Sequence, residues 1–131
     1  AADYKLAGSA ANARLSDLHW PLDLVWLGMG ADGHTASIFP GSDYEEALNP
    51  AKGVRAIGVR PDPFPPEAPV DRVTLTVPAI VEARTTMLVI NGAEKQQVLE
   101  QAIEEGKKSA YPVGRVIDAL TVPVDIYCLS V

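Results

Sequence analysis

The chain has 131 residues, of which 47% are hydrophobic and 21% charged, and its net charge is −6 at pH 7. This length suits a single domain over residues 1–131 with a core of its own, and the composition excludes a long disordered tract. The acidic balance argues against nucleic acid or an anionic membrane as a partner, and the lack of a membrane-length apolar run or an export leader predicts a cytoplasmic protein.

The first predicted elements surround a glycine-rich segment. Alanine-rich residues 2–16 favour a helix in which Gly8 is a weak point. Residues 23–28, DLVWLG, are a short apolar run typical of a buried strand. Residues 34–39, HTASIF, predict a short helix that a Pro-Gly pair ends. Residues 43–48 predict another helical turn.

The middle of the chain predicts two strands separated by a stiff loop. Residues 53–59, GVRAIGV, are typical of a strand, and five prolines then lie within residues 61–69. Proline this dense predicts a surface loop. Residues 72–76, RVTLT, are rich in β-formers, and Pro78 opens a short helical pattern.

The last part of the chain predicts a strand, a helix and a strand. Residues 85–92, TTMLVING, predict the clearest buried strand, and the stretch 93–108 predicts a helix that ends at Gly106, with Lys107 and Lys108 at its last turn. The apolar face of this helix consists of Val98, Leu99 and Ile103. Residues 122–131 predict a terminal strand that contains the single cysteine, Cys128. Because Cys128 lies in an apolar stretch and has no disulfide partner, we expect a buried, inert thiol.

The alternation of strands and helices, joined by short glycine turns, implies an α/β fold with a largely parallel sheet. Ligands of such sheets gather at the carboxyl ends of the strands. The segment after residues 23–28 and the turn at Gly92 both follow strands. We therefore expect them to lie at the same edge of the sheet.

The glycine-rich segment fits a dinucleotide-binding turn in its spacing alone. Gly28, Gly30 and Gly33 match G-x-G-x-x-G, which also needs a long crossover helix and an acidic residue about 20 positions further on. Here a Pro-Gly pair interrupts the chain early, and the next strand ends in Arg60. A nucleotide cofactor is therefore disfavoured.

Asp32 and His34, inside this segment, favour hydrolytic chemistry. A histidine can accept a proton from water near neutral pH, and a neighbouring carboxylate can fix its tautomer. Backbone amides at the start of the predicted helix could face a developing oxyanion. Alternatively, Asp32 caps that helix and His34 packs at its start. A metal site is disfavoured, since the only other histidine, His19, has no ligand spacing to His34.

Three stretches in consistent order resemble motifs of the 6-phosphogluconolactonases, within the glucosamine-6-phosphate isomerase/deaminase superfamily. They are LGMGADGHTASIFPG, DRVTLTVPAIVEA and VINGAEKQQVL, and the resemblance runs from about residue 20 to residue 112. It implies a Rossmann-like three-layer α/β/α fold with a mostly parallel sheet, of the NagB/RpiA/CoA-transferase type. It also implies hydrolysis of 6-phospho-D-glucono-1,5-lactone to 6-phosphogluconate in the oxidative pentose phosphate pathway, with no metal and no cofactor.

The resemblance also implies roles for particular residues. His34 would be the general base that activates water, and Asp32 would orient it. The implied substrate-binding positions are Gly30, Gly33, Thr35, Arg72, Lys95 and, more weakly, Arg60. The alternatives are a strand-edge salt bridge for Arg72 and a solvated helix start for Lys95. A cation in the first turn opposes the helix dipole, and a bound anion would offset that cost.

The related deaminases carry a different loop, which resembles D-G-H-I-A-F-N-E-P and whose glutamate assists sugar ring opening. Residues 35–40 of this chain read TASIFP and contain no glutamate. The lactonases therefore fit better, while a sugar-phosphate isomerase or deaminase, or a non-catalytic sugar-phosphate-binding module, stays open.

The resemblance covers only the C-terminal half of the family. Its N-terminal half would contribute a Ser-Gly-Gly phosphate loop and an Asp-Glu-Arg segment, and neither tripeptide occurs in this chain. We therefore expect a fragment, incomplete at the N-terminus and inactive by itself. A sheet cut in this way would expose an edge at which a second copy could associate.

Overall fold

A computed structural model describes residues 3–129. The elements in chain order are α1 (Tyr4–Leu15), β1 (Leu24–Leu27), α2 (Tyr44–Leu48), β2 (Ala56–Val59), β3 (Arg72–Leu75), α3 (Val77–Val81), β4 (Thr85–Asn91), α4 (Ala93–Glu105), a 3₁₀ turn (Gly106–Lys108), α5 (Pro112–Ala119) and β5 (Val124–Leu129). The predicted helix 2–16 and the predicted strand 122–131 extend past the described residues at Ala2 and at residues 130–131. The chain divides into two compact units, one of residues 1–19 and 37–79, the other of residues 20–36 and 80–131.

A three-stranded parallel sheet, in the order β1-β4-β5, forms the second unit. Leu24 pairs with Thr85 between β1 and β4, and Thr86 pairs with Val124 between β4 and β5. The longest strand of this sheet, β4, takes the central position, where both of its edges are hydrogen-bonded. The prediction of an α/β fold with a parallel sheet is confirmed.

One face of this sheet is the core of the second unit. Thr86, Leu88 and Ile90 alternate along β4 with less than 4% of each exposed, as expected when every second side chain points to one face. The helix α4 packs on β4 and buries Leu99 and Ala102. It ends at Gly106, whose φ of +62° favours glycine. The predicted apolar face of this helix is wrong at Ile103, whose side chain is 45% exposed.

The parallel register decides where the chain leaves the sheet. Since β1 and β4 run in the same direction side by side, the segment after Leu27 and the turn at Gly92 both lie at the carboxyl edge. The predicted common edge is therefore confirmed.

The opposite face of the sheet is apolar, exposed on β1 and β5 and half-buried on β4. Its register places Trp26 of β1 beside Met87 of β4, and Val89 of β4 beside Tyr127 of β5. Trp26 is 67% exposed. The last strand, β5, is open to solvent on both faces, and Cys128 on it is exposed. The prediction of a buried thiol is wrong, because an apolar stretch at a sheet edge need not be covered.

The predicted helix over residues 34–39 is also wrong, since residues 36–37 form a turn between two isolated β-bridge residues, Thr35 and Ile38. Ala36 has a φ of +52°, which a right-handed helix cannot include. Ile38 and Phe39 are buried, with 0% and 5% exposed. Burying both of these neighbouring side chains takes precedence over a weak local helical preference.

The first unit is built around a close approach of α1 to the antiparallel pair β2–β3. A Cβ added to Gly8 would lie 2.9 Å from the Gly58 Cα, and one added to Gly58 would lie 2.5 Å from the Tyr4 carbonyl carbon. The two glycines therefore allow the two backbones to touch. Asn12 extends the contact, since its Oδ1 accepts hydrogen bonds from the N–H groups of Arg55 and Ala56.

A buried carboxylate, Asp43, ties three parts of the first unit together. Its Oδ1 lies 2.6 Å from the Lys5 Nζ, and its Oδ2 accepts a hydrogen bond from the Arg60 N–H at 2.8 Å. Burial raises the pKa of Asp43, but these two hydrogen bonds, the positive charge of Lys5 and a hydrogen bond from Tyr4 together hold the pKa below its usual range. The ionised carboxylate thus links α1 to the end of β2.

Within residues 3–129, no helix combines the length and the apolar character that crossing a bilayer requires.

Candidate active site

The segment after β1 folds back on itself as a tight turn. The Gly30 N–H donates to the His34 carbonyl at 3.0 Å, and the Gly33 N–H donates to the Gly30 carbonyl at 2.9 Å. Gly33 has a φ of +84°, where glycine is favoured. A Cβ on Gly30 would overlap the His34 ring. These two glycines are therefore required by the turn and by the histidine.

The chain after the turn does not form the crossover helix of a dinucleotide fold. Over residues 28–55, all of which the structure describes, the only helix is α2, with five residues. A dinucleotide site needs a longer helix whose N-terminus faces the pyrophosphate. The G-x-G-x-x-G spacing is thus explained by the tight turn around Gly30 and Gly33 and not by a dinucleotide site.

The side chains of Asp32 and His34 are in direct contact. The His34 Nδ1 lies 2.5 Å from the Asp32 Oδ1, and the same oxygen accepts the His34 backbone N–H at 3.0 Å. The His34 side chain is 24% exposed and that of Asp32 is 51% exposed. Because no helix follows, Asp32 forms a turn rather than a helix cap.

This contact keeps the carboxylate ionised. Partial burial raises the pKa of Asp32, but the backbone and ring hydrogen bonds from His34, together with the charge interaction with His34 and a backbone hydrogen bond within Asp32 itself, lower the pKa below the usual value. An ionised carboxylate can only accept hydrogen bonds, so the His34 Nδ1 must carry the proton. A neutral ring then keeps its lone pair on Nε2, the nitrogen that can take a proton from water.

Thr35, a predicted substrate-binding residue, holds the turn to its strand. Its hydroxyl donates to the Gly28 carbonyl at 2.6 Å, and only 1% of the residue is exposed. The buried Thr35 side chain therefore stabilises the loop through this hydrogen bond. Contact between Thr35 and a substrate stays a prediction.

Lys95 lies at the same sheet edge as the Asp32–His34 loop. It is the third residue of α4, which begins after Gly92, and the Gly92 N–H donates to the Leu129 carbonyl at 2.8 Å. Lys95 is half-buried and forms no ion pair within the described part of the chain. A helix N-terminus and a lysine without a carboxylate partner together favour an anion.

The two predicted arginines belong to the first unit and differ in their surroundings. Arg60 is held by both carboxylate oxygens of Asp71, at 2.7 and 2.8 Å. The Arg72 guanidinium lies over the Phe39 ring and donates to the Ala68 carbonyl, while its Nε is buried without a hydrogen-bond partner among residues 3–129. Arg72 thus has unused donor capacity, and Arg60 has much less.

Comparison with known families gives this geometry its context. The family model of the glucosamine-6-phosphate isomerases/6-phosphogluconolactonase matches residues 1–122. The chain belongs to this family.

Relatives within the family are named 6-phosphogluconolactonase. The protein from Mesorhizobium japonicum is 38% identical over 122 residues, which is 92% of this chain and 49% of the relative. The protein from Rhizobium meliloti is 37% identical, over 92% of this chain and 51% of the relative. The chain therefore spans about half the length of the curated relatives it matches.

A solved structure supports the same assignment. The crystal structure of a 6-phosphogluconolactonase from Shewanella baltica superposes with a TM-score of 0.85 at 33% identity. The match covers 97% of this chain and 52% of that protein. The fold described above is thus the fold of about half of a member of the family.

The helix α5, which contacts the Asp32–His34 loop, was not predicted from the sequence. Val113 of this helix donates its N–H to the Gly33 carbonyl at 2.9 Å, and Tyr111 before it lies against Gly33. The signal was present, since Pro112 is typical of a first helical position and Val113 and Val116 lie on one helix face.

Proposed function

We propose that the intact protein containing this chain hydrolyses 6-phospho-D-glucono-1,5-lactone to 6-phosphogluconate. The observation that carries the proposal is the Asp32–His34 pair at the carboxyl edge of a parallel sheet. Family relatives also support the proposal, since those of similar sequence are named 6-phosphogluconolactonase. No deaminase-type glutamate lies in residues 35–40.

In the proposed reaction, His34 acts as the general base. Its Nε2 takes a proton from water, and the hydroxide attacks the lactone carbonyl carbon to form a tetrahedral oxyanion. Asp32 stabilises the imidazolium through Nδ1. The carbonyl then re-forms as the bond to the ring oxygen breaks, and His34 returns its proton to that oxygen. No net proton is gained or lost by the enzyme.

The phosphate of the substrate is assigned to the cations. Lys95 is favoured by its place in the first turn of α4 and its lack of a carboxylate partner within the described residues. Arg72 is favoured by its buried Nε, and Arg60 is the weaker candidate because Asp71 already holds it. Contact of Gly30 and Gly33 with the substrate stays a prediction.

We expect the intact protein to accelerate lactone opening above the spontaneous rate, as measured by acid release in weakly buffered solution. The reaction is proposed to need no metal, as the resemblance to the 6-phosphogluconolactonases implies. Activity should therefore survive a chelator. Absence of acceleration would refute the lactonase, and release of ammonia from glucosamine 6-phosphate would identify a deaminase instead. Inactivity of residues 1–131 by themselves stays a prediction.

Lys95→Ala should raise KM for the phosphorylated lactone by about ten- to a hundredfold, because a hydrogen bond to a charged group is worth about 1.5–3 kcal/mol. The value of kcat should change much less, since Lys95 is assigned to the phosphate and not to the reacting carbonyl. Initial rates over a range of substrate concentrations separate the two effects.

Lys107→Ala is the matched control for this change. It removes the same charge beyond the other end of α4, where Lys107 is exposed. Its KM should stay at the wild-type value. Equal effects of the two variants would mean that only net charge matters, which would contradict a phosphate contact at Lys95.

A further inference from the structure

The loop that holds Asp32 and His34 is contacted at its central residue, Gly33, by the residues that begin α5. A Cβ built on Gly33 would lie 2.7 Å from the Tyr111 Cβ and 2.8 Å from its Cγ. The tyrosine therefore occupies the space into which a side chain of residue 33 would project. The Gly33 carbonyl also accepts the Val113 N–H at 2.9 Å.

Tyr111 is itself held in place by the end of α4. Its N–H donates to the Ser109 Oγ at 3.1 Å, and that hydroxyl donates to Glu105 at 2.8 Å. Ser109 is only 4% exposed. The Tyr111 carbonyl accepts the Gly114 N–H at 3.0 Å, which closes the first turn of α5. The backbone of Tyr111 is therefore anchored to the end of α4, the helix that also carries Lys95.

Gly33 decides how the two reacting side chains face each other, since it is the only residue between them. A glycine with a φ of +84° has many other conformations available to it. The contact from Tyr111 and the bond from Val113 restrain it from the side of α5, in addition to the hydrogen bond that its own N–H donates to the Gly30 carbonyl. Loss of the Tyr111 contact is therefore expected to let the His34 Nδ1 move relative to the Asp32 Oδ1, so that the tautomer is no longer imposed.

On the basis of the proposed function, we propose that Tyr111 is a positioning residue for His34. It acts through Gly33 and does not touch the substrate. The hydroxyl takes no part in the contact, because the atoms that meet Gly33 are Cβ and the ring atoms Cγ and Cδ1. The residues that begin α5 thereby link the orientation of His34 to α4, the helix that carries Lys95.

The test compares ring removal with hydroxyl removal in the intact protein. Tyr111→Ala should lower kcat by about a hundredfold, as a small displacement of a catalytic group does, and should leave KM near the wild-type value. Tyr111→Phe should retain wild-type kcat. Tyr127→Ala, which truncates a 53% exposed tyrosine on β5, is the matched control and should also retain kcat.

A second readout does not depend on activity. The ¹⁵N shifts of the His34 ring should report the proton on Nδ1 in the wild type, Tyr111→Phe and Tyr127→Ala, and a tautomer mixture in Tyr111→Ala. If Tyr111→Ala does not fold, Tyr111→Leu fills part of the space and should show the same changes to a smaller degree.

The outcomes separate this proposal from the lactonase proposal. A folded Tyr111→Ala or Tyr111→Leu protein with the wild-type tautomer and kcat would overturn the positioning role. A changed tautomer in a protein without lactonase activity would support the positioning role and refute the lactonase. A Tyr111→Phe protein as impaired as Tyr111→Ala would show that the hydroxyl takes part, which the proposal excludes.

Discussion

His34→Ala is expected to lower kcat for lactone hydrolysis in the intact protein by about 10²- to 10⁴-fold, the usual contribution of general acid–base catalysis. The alanine cannot take the proton of the attacking water, and the Asp32 carboxylate loses the ring that it orients. Values of KM should change little, because His34 is assigned to the reacting water and not to the phosphate. Steady-state rates of acid release measure both constants.

The other histidine of the chain provides the control. His19 is exposed and lies between α1 and β1, so His19→Ala should leave kcat unchanged. Thermal unfolding of both variants shows whether the fold is retained. A folded His34→Ala protein with a kcat close to the wild-type value would refute the general base.

Asp32→Asn tests the same Asp32–His34 pair by replacing its carboxylate with an amide. The amide can present its NH₂ group to the His34 Nδ1, which would move the ring proton to Nε2 and remove the base. The pH dependence has a definite sign. Since the pKa of Asp32 is lowered from 3.8, the carboxylate persists at higher pH, and the contact is lost only as the pH falls below that value. Activity changes near neutral pH should therefore not come from Asp32.

Gly58→Ala and Gly8→Ala are expected to lower the free energy of unfolding by about 1–3 kcal/mol or more, the usual cost of overpacking. The added Cβ would meet backbone atoms. A Cβ on residue 58 would lie 2.5 Å from the Tyr4 carbonyl carbon, and a Cβ on residue 8 would lie 2.5 Å from the Ile57 carbonyl carbon. A backbone cannot rotate away as a side chain can, so α1 must move off β2. Urea unfolding of the variants measures the loss.

Gly8→Ala is the sharper of the two changes because helix propensity predicts the opposite sign. In the middle of an exposed helix, alanine in place of glycine stabilises by about 0.5–1 kcal/mol. Ser9→Ala, at the next and exposed position of α1, provides that background and should be neutral or slightly stabilising. If Gly8→Ala stabilised the protein as well, the close contact of α1 with β2 would be refuted.

The elements predicted well from the sequence are those with a strong local pattern. The strands β1 and β4 are short apolar runs that end at glycine, and α4 follows the second of them with a glycine at its end. From these patterns alone, the common sheet edge of the His34 loop and Lys95 could be derived, because parallel strands end on the same side. The helix α5 was missed although its starting proline was a usable signal.

The wrong predictions share a cause, which is that local preference does not specify what a residue packs against. Residues 34–39 have a weak helical preference, and the burial of Ile38 and Phe39 overrides it. Cys128 and Ile103 are apolar by composition but lie where no described element covers them. Gly8 was interpreted as a weak point of a helix, whereas it is the point at which that helix touches a strand.

The sequence by itself determined which residues follow the strands, and with them the Asp32–His34 pair, Lys95 and the family resemblance, because strand ends and turns depend on neighbours along the chain. Only the tertiary structure decided that one oxygen of Asp32 holds both the ring and the N–H of His34, and that Tyr111 lies against Gly33. Residue 111 is 78 positions away from residue 33. Contacts of that kind arise from the packing of α5 on α4 and of α4 on β4, which no local pattern encodes.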